Sequence, residues 1–149
     1  MKRFHVNLNV TDLDKSIAFY NELFAAEPTV LEPDYAKWML DDPFVNFSIS
    51  TRGANPGVDH IGLEAGDEDE LALIRDRLVR ADSPILDEED ANCCYANSKK
   101  AWISDPDGVA WETFFSKGRI ANYGDGTGEV PARIAAEGTR AKTSPGACC

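Results

Sequence analysis

The feature that most restricts the fold of this chain is an internal repeat in which the second copy begins 55 residues after the first. Residues 5–24 align with residues 60–79, so that His5 falls on His60. Each copy opens with alternating apolar and polar residues, which predicts a strand with one buried face, and continues into an amphipathic helix. The repeat favours two equivalent half-domains over two similar strand–helix units that match by chance.

Short apolar segments separated by turn residues follow the helix in each copy. The turns lie at residues 41–43 in the first copy and at the Asp-Pro-Asp-Gly of residues 105–108 in the second. Because such turns join neighbouring strands, both copies predict the element order β-α-β-β-β. The first helix is predicted to begin at a capping box formed by Thr11 and Asp14.

We therefore predict an α+β fold of two tandem β-α-β-β-β modules, with module 1 at residues 1–53 and module 2 at residues 57–117. Together they form one domain over residues 1–117, which suits a chain of 149 residues. Residues 118–149 are rich in Gly, Ala, Thr and Arg and have no sustained apolar period. They are predicted to form a flexible C-terminal tail.

The charge balance of the chain restricts its partners. It has 15 Lys and Arg against 26 Asp and Glu, a formal net charge of −11. Without a basic patch to neutralise phosphates, we expect no nucleic acid and no anionic membrane as partner. The sequence also shows no membrane-spanning run and no apolar stretch typical of a signal peptide, so we expect a cytoplasmic protein.

His5 and His60 are the only 2 histidines, and they occupy equivalent positions on equivalent strands. If the modules pair around a pseudo-two-fold axis, both can reach one metal ion. Glu112 is the candidate third ligand, because an unpaired carboxylate in the apolar segment at residues 111–115 would be costly. The corresponding strand at residues 45–50 has no acid, so one site per chain is expected. The alternatives are structural histidines and a solvent-facing glutamate.

The 4 cysteines form two adjacent pairs, Cys93-Cys94 and Cys148-Cys149. Adjacent cysteines rarely bond to each other, and we expect all these thiols to be reduced. The first pair follows an acidic stretch at residues 87–90, which we predict to be a loop. Two adjacent thiolates can chelate a soft centre such as trivalent arsenic, cadmium or zinc. The alternative is that these are ordinary cysteines, one buried and one exposed.

Taken together, these motifs resemble the vicinal oxygen chelate superfamily, which includes glyoxalases, extradiol dioxygenases and bleomycin-resistance proteins. Within it, the sequence is similar to the organoarsenical carbon–arsenic lyases, a group that includes cadmium-induced proteins. The similarity covers residues 1–117. It is carried by residues 5–10, 33–43, 57–60, the Asn-Cys-Cys-Tyr-Ala of residues 92–96, residues 105–108 and Trp111-Glu112.

This resemblance implies an Fe(II) enzyme that uses dioxygen to cleave the carbon–arsenic bond of small trivalent organoarsenicals and releases arsenite. By position, His5, His60 and Glu112 match the iron ligands, and Cys93 and Cys94 match the thiols that bind arsenic. Further candidates are Tyr35, Tyr95, Lys99 and Lys100 as site-lining residues, and Cys148 and Cys149 as accessory thiols. The oligomeric state stays open.

Two other functions remain compatible with the same residues. One is a protein that sequesters cadmium or arsenic through its thiols without turnover, for which the His-His-Glu set would be superfluous. The other is a different metalloenzyme of the glyoxalase or ring-cleaving dioxygenase type, in which the cysteine pair has no role.

Overall fold

The structure, a computed structural model, describes residues 1–81, 84–93 and 96–119. Within these ranges the chain follows the order β-α-β-β-β twice, which confirms the predicted architecture. The elements are β1 (Arg3–Asn9), α1 (Leu13–Phe24), β2 (Val30–Glu32), β3 (Tyr35–Asp41), β4 (Phe44–Ser50), β5 (Gly57–Glu64), α2 (Glu68–Arg80), β6 (Leu86–Cys93), β7 (Ala96–Ser104) and β8 (Ala110–Arg119).

The strands form one sheet in the order β2-β3-β4-β1-β5-β8-β7-β6. β1 and β5 are antiparallel at its centre, and each is flanked by a parallel partner from its own module, β4 beside β1 and β8 beside β5. The two modules are therefore related by a pseudo-two-fold axis between β1 and β5. His5 lies opposite Gly62 and His60 lies opposite Asn7, which makes the two histidines diagonal neighbours.

Both helices begin at equivalent aspartates of the repeat. The carboxylate of Asp12 accepts a hydrogen bond from the Lys15 backbone N–H at 3.0 Å, and Asp67 accepts one from the Glu70 N–H at 2.7 Å. Each carboxylate satisfies a backbone donor that the helix leaves unpaired, and its charge suits the helix N-terminus. The predicted cap at Thr11 is wrong by one residue, because Asp12 occupies the N-cap.

Both helices pack on one face of the sheet. Tyr20 of α1 contacts the rings of Trp38 and Phe47, with centroids 5.9 and 4.6 Å away. In the second module, Leu71 and Ile74 of α2 are buried beside Ala65. This apolar layer leaves the opposite face of the sheet for polar side chains. Those that are buried there include His5, Asn7, Asn46, Ser48, Ser50, His60, Ser98, Lys100 and Glu112.

The acidic stretch at residues 87–90 is not a loop, as we had predicted, but part of β6, which runs from Leu86 to Cys93. β6 is the last strand of the sheet, and an edge strand accommodates charged side chains because one of its sides faces solvent. Asp87 uses this position to accept a hydrogen bond from Nε of Arg75 on α2 at 2.9 Å.

β8 continues to Arg119, two residues beyond the boundary expected at residue 117. The remainder of the predicted tail, residues 120–149, lies outside the described residues, as do Cys148 and Cys149. Neither helix in the described ranges has the length and apolar composition needed to cross a membrane.

Candidate metal centre

Three buried side chains from three central strands converge on the polar face of the sheet: His5 of β1, His60 of β5 and Glu112 of β8. The Nε2 atoms of the histidines are 3.2 Å apart, and Oε2 of Glu112 lies 3.6 Å from His5 and 3.4 Å from His60. Two ligand atoms at right angles around one metal ion lie about 3 Å apart. The triangle therefore fits three ligands on one face of a divalent ion.

The second ring nitrogen of each histidine has a partner that turns Nε2 towards the centre of this triangle. Nδ1 of His5 lies 3.0 Å from the Asn46 carbonyl oxygen, and Nδ1 of His60 lies 2.7 Å from Oδ2 of Asp59. Backbone carbonyls and carboxylates are the usual orienting partners of metal-bound histidines. The arrangement therefore supports ligation through Nε2 in both residues.

Asp59 reaches its neighbour His60 because β5 is irregular at this point. Asn7 pairs with His60, but the next pair joins Leu8 to Val58, so Asp59 is an extra residue in the ladder. In a regular strand, adjacent side chains point to opposite faces, and a β-bulge relaxes that rule. Asn9 holds the other oxygen of Asp59 through a hydrogen bond of 2.9 Å.

The carboxylate of Glu112 is shared between the triangle and a buried lysine. Oε1 accepts a hydrogen bond from Nζ of Lys100 at 2.8 Å, while Oε2 faces the two histidines. The carboxylate is thus positioned to offer one oxygen to a metal ion. Gly62 permits this approach of β8, because a Cβ atom at residue 62 would lie 1.9 Å from the Glu112 carbonyl oxygen.

The electrostatics of the three ligands differ although all are buried. Burial lowers the pKa of His5 to about 4 against the opposing charge of Glu112. Burial also opposes the charge of His60, but its hydrogen bonds with Asp59 and Glu112 raise its pKa to about 9. The pKa of Glu112 is held well below its ordinary value, since Lys100 and the histidines outweigh its burial. A carboxylate and a neutral His5 are therefore ready to ligate, whereas His60 must lose a proton.

A partly open cavity lies beside the triad. It extends along β7 and β8 towards Ala96, whose partner in the β6–β7 ladder is Cys93. The cavity that contains the metal-ligand triangle thus reaches the residue of β7 that pairs with Cys93. Cys94 and Tyr95, which separate these two strands, lie outside the described residues.

Of the other candidates, Tyr35 and Lys100 line this cavity. Lys99 does not: its Nζ lies 3.0 Å from Glu68, at the start of α2 on the opposite face of the sheet. The expectation that Lys99 lines the site is therefore not met, because β7 is regular there and adjacent side chains point to opposite faces.

Sequence reasoning missed the residues that orient the ligands, above all Asp59 and Asn46. Asp59 precedes His60 directly, and strict alternation assigns it to the wrong face, so only the bulge reveals its role. Asn46 acts through its backbone carbonyl, for which side-chain identity gives no signal. For β4, the sequence indicated only that this strand offers no carboxylate as a metal ligand, because residues 45–50 contain no acid.

The chain matches a family model over residues 2–113, and that family is described as the Glyoxalase/Bleomycin resistance protein/Dioxygenase superfamily. A trivalent organoarsenical cleaving enzyme of Bacillus sp. (strain MD1) is 46% identical over 122 residues, or 78% of this chain and 74% of that protein. The cadmium-induced protein CadI of Mycobacterium tuberculosis (strain ATCC 25618 / H37Rv) is 32% identical over 127 residues, or 85% and 84% of the two chains.

Solved structures with a similar fold include a Mn(II)-bound glyoxalase from Novosphingobium aromaticivorans, with a TM-score of 0.57 and 19% identity over 82% of this chain and 42% of that one. An extradiol ring-cleaving dioxygenase from B. fuscum gives a TM-score of 0.59 and 14% identity, and the match covers 87% of this chain and 35% of that one. At such identities the likeness shows the fold alone.

Proposed function

On the premise that this chain belongs to the Glyoxalase/Bleomycin resistance protein/Dioxygenase superfamily, we propose that it cleaves the carbon–arsenic bond of trivalent organoarsenicals with Fe(II) and dioxygen. The observation that carries the proposal is the cavity that borders the His5-His60-Glu112 triangle and extends to Ala96, the residue of β7 that pairs with Cys93. The name of the 46% identical relative supports the substrate class.

The two sites have complementary tasks in this proposal. The thiols of Cys93 and Cys94 replace the two hydroxyls of a trivalent organoarsenical: each thiol proton leaves with one hydroxyl as water, two arsenic–sulfur bonds form, and the organic group stays attached. Soft thiolates favour this ligand over hard oxyanions. Binding at these cysteines, beside the paired ends of β6 and β7, positions the carbon–arsenic bond along the cavity, which converts an encounter into an oriented reaction.

The triad of His5, His60 and Glu112 would hold the metal. Two imidazoles and a monodentate carboxylate on one face suit Fe(II) and leave other coordination positions open. Ferrous iron held by these residues would supply the activation of dioxygen, which no side chain provides. For methylarsonous acid without another reductant, the atoms balance when one dioxygen is consumed and one arsenite and one formaldehyde are released.

The polar residues around the triad maintain its charge and geometry during turnover. Lys100 keeps Glu112 ionised and holds its Oε1, so that only Oε2 is presented to the metal. Asp59 fixes the ring of His60. Trivalent arsenicals are largely uncharged near neutral pH, so a chain with a net charge of −11 does not repel them.

The proposal is tested by loading the protein anaerobically with Fe(II), adding methylarsonous acid and scoring arsenite before and after oxygen is admitted. We expect arsenite only with both iron and oxygen. The Cys93→Ser and Cys94→Ser variants should lose arsenical binding and turnover, whereas the matched double variant Cys148→Ser/Cys149→Ser keeps both. Full activity of Cys93→Ser and Cys94→Ser would remove the proposed role of these thiols.

A His60→Ala variant separates catalysis from sequestration. Because its cysteine pair is intact, it should bind the arsenical but release no arsenite. If the iron-loaded wild-type protein also retains the arsenical without releasing arsenite in the presence of oxygen, the chain sequesters its ligand, and the lyase proposal is wrong.

A further inference from the structure

Asn46 of β4 carries a buried hydrogen-bond acceptor for which the described part of the chain provides no donor. Its side chain is 2% exposed, and Oδ1 has no hydrogen-bond partner there. Buried polar atoms in folded proteins nearly always have a partner, so an exception calls for an explanation. The residue lines the cavity that contains the metal-ligand triangle, where a bound molecule can provide the missing donor.

The orientation of the Asn46 amide is fixed by its neighbour Glu64. Nδ2 of Asn46 donates a hydrogen bond to Oε2 of Glu64 at 3.0 Å, and Oγ of Ser116 donates one to Oε1 at 3.3 Å. An ionised carboxylate only accepts hydrogen bonds, so the NH₂ group of Asn46 must face Glu64. The carbonyl oxygen is therefore held as a fixed acceptor.

Asn46 itself lies beside the candidate metal ligands. Its backbone carbonyl accepts from His5, and the ring of Phe114, also in the cavity, lies edge-on to His5 with centroids 5.1 Å apart. A ligand bound in this cavity therefore meets an aromatic side chain and the oriented acceptor of Asn46. This combination suits a ring that carries an O–H or N–H group.

We propose that Asn46 makes the site selective for organoarsenicals whose organic group carries a hydrogen-bond donor, such as an aromatic hydroxyl or amine. The inference rests on the proposed function, which places the organic group in this cavity. Both hydroxyls of the arsenic are exchanged for thiolate sulfurs on binding, so the donor must belong to the organic group. A site with an oriented acceptor discriminates against ligands that leave the acceptor unpaired.

The test compares phenylarsonous acid with its hydroxyphenyl and methoxyphenyl derivatives, substituted at the 3- or 4-position. Methoxy is the matched control, because it keeps the oxygen but lacks the donor. Binding to iron-free protein under anaerobic conditions is followed by tryptophan fluorescence, since Trp102 lies 5.0 Å from the ring of His60. At one or both positions, the hydroxyphenyl compound should bind about tenfold or more tightly than the methoxyphenyl compound.

Variants of the acceptor and its neighbours assign this preference. Asn46→Leu should reduce the ratio of the hydroxyphenyl affinity to the methoxyphenyl affinity to about one. Ser116→Ala removes only the other partner of Glu64 and should retain the wild-type ratio. Glu64→Gln gives a second measurement if Asn46→Leu does not fold. Its amide can donate to Oδ1 and satisfy the acceptor internally, so the ratio should also fall.

A wild-type ratio near one at both positions would overturn the inference, as would an unchanged ratio in Asn46→Leu. A wild-type ratio near one is also the result expected if a water molecule donates a hydrogen bond to Oδ1 of Asn46 in every complex. Neither result touches the proposed function, which fails separately if Cys93→Ser and Cys94→Ser bind phenylarsonous acid normally, or if the iron-loaded protein releases no arsenite.

Discussion

At the scale of single residues, the two histidines of the triad differ in what holds their second ring nitrogen. His5 uses a backbone carbonyl, which no substitution of Asn46 can remove, whereas His60 uses the carboxylate of Asp59. Asp59 would also bring a negative charge close to a metal ion held by the triad. The side chain of Asp59 is therefore the orienting group that mutation can test.

Asp59→Asn should weaken Fe(II) binding about 10- to 100-fold, the usual effect of losing a carboxylate that orients a metal-bound histidine. The matched control is Asp41→Asn. It removes an exposed carboxylate whose ion-pair partner is Arg3, at 2.7 Å, and not a residue of the triad. Anaerobic titration with Fe(II) measures both affinities. Equal affinity of wild type and Asp59→Asn would contradict the orienting role.

The raised pKa of His60 predicts a pH dependence of metal binding. With a pKa of about 9, His60 is protonated at neutral pH, and the proton must leave before Nε2 can ligate a metal. The apparent affinity should therefore rise by roughly tenfold per pH unit from about 7 to about 9 and then level off. Titrations with a divalent ion that stays soluble over this range test this, and a flat profile would contradict it.

At the scale of secondary-structure elements, the site depends on the central strands and on the bulge between β1 and β5. The bulge at Asp59 could not be predicted, because it depends on how β5 pairs with β1 and not on local propensity. The placement of residues 87–90 was missed for a related reason: charged residues are rare in strands, but β6 lies at the edge. The conformation at Asp59 and at residues 87–90 therefore depends more on how the strands pair than on residue type.

Close contact between β5 and β8 requires Gly62, and this gives a prediction at the level of the sheet. Gly62→Ala would force a Cβ atom against the Glu112 carbonyl oxygen, so we expect a loss of about 3 kcal/mol in unfolding free energy and weakened metal binding. Gly118→Ala is the matched control, because a Cβ there meets no atom within 4 Å. Denaturant unfolding and metal titration report both effects, and wild-type behaviour of Gly62→Ala would refute the argument.

At the scale of the whole molecule, the pseudo-two-fold axis explains why two modules provide one triad. Asn7 and Gly62 are equivalent in the repeat, and their partners on the flanking parallel strands are Ser48 and Glu112. Module 1 therefore presents a serine where module 2 presents the carboxylate. The repeat predicted the pair of histidines and the apolar segment around Glu112 predicted the acid, whereas ligand orientation depended on tertiary pairing.

Residues 1–119 contain the whole triad and both cysteines of the first pair. We therefore expect a chain truncated after Arg119 to keep the Fe(II) affinity and arsenite release of the 149-residue chain. Comparison of substrate saturation curves tests this directly. A large increase in KM after truncation would assign a role in substrate capture to residues 120–149, including Cys148 and Cys149.

The most direct test of the central claim is the stoichiometry of a single turnover. Iron-loaded protein with bound methylarsonous acid is mixed with a limiting, known amount of dioxygen, and arsenite and residual dioxygen are quantified. We predict one arsenite released per dioxygen consumed, and none without oxygen. Arsenite formed anaerobically, or dioxygen consumed without arsenite, would contradict the assignment of oxygen-dependent carbon–arsenic cleavage to this site.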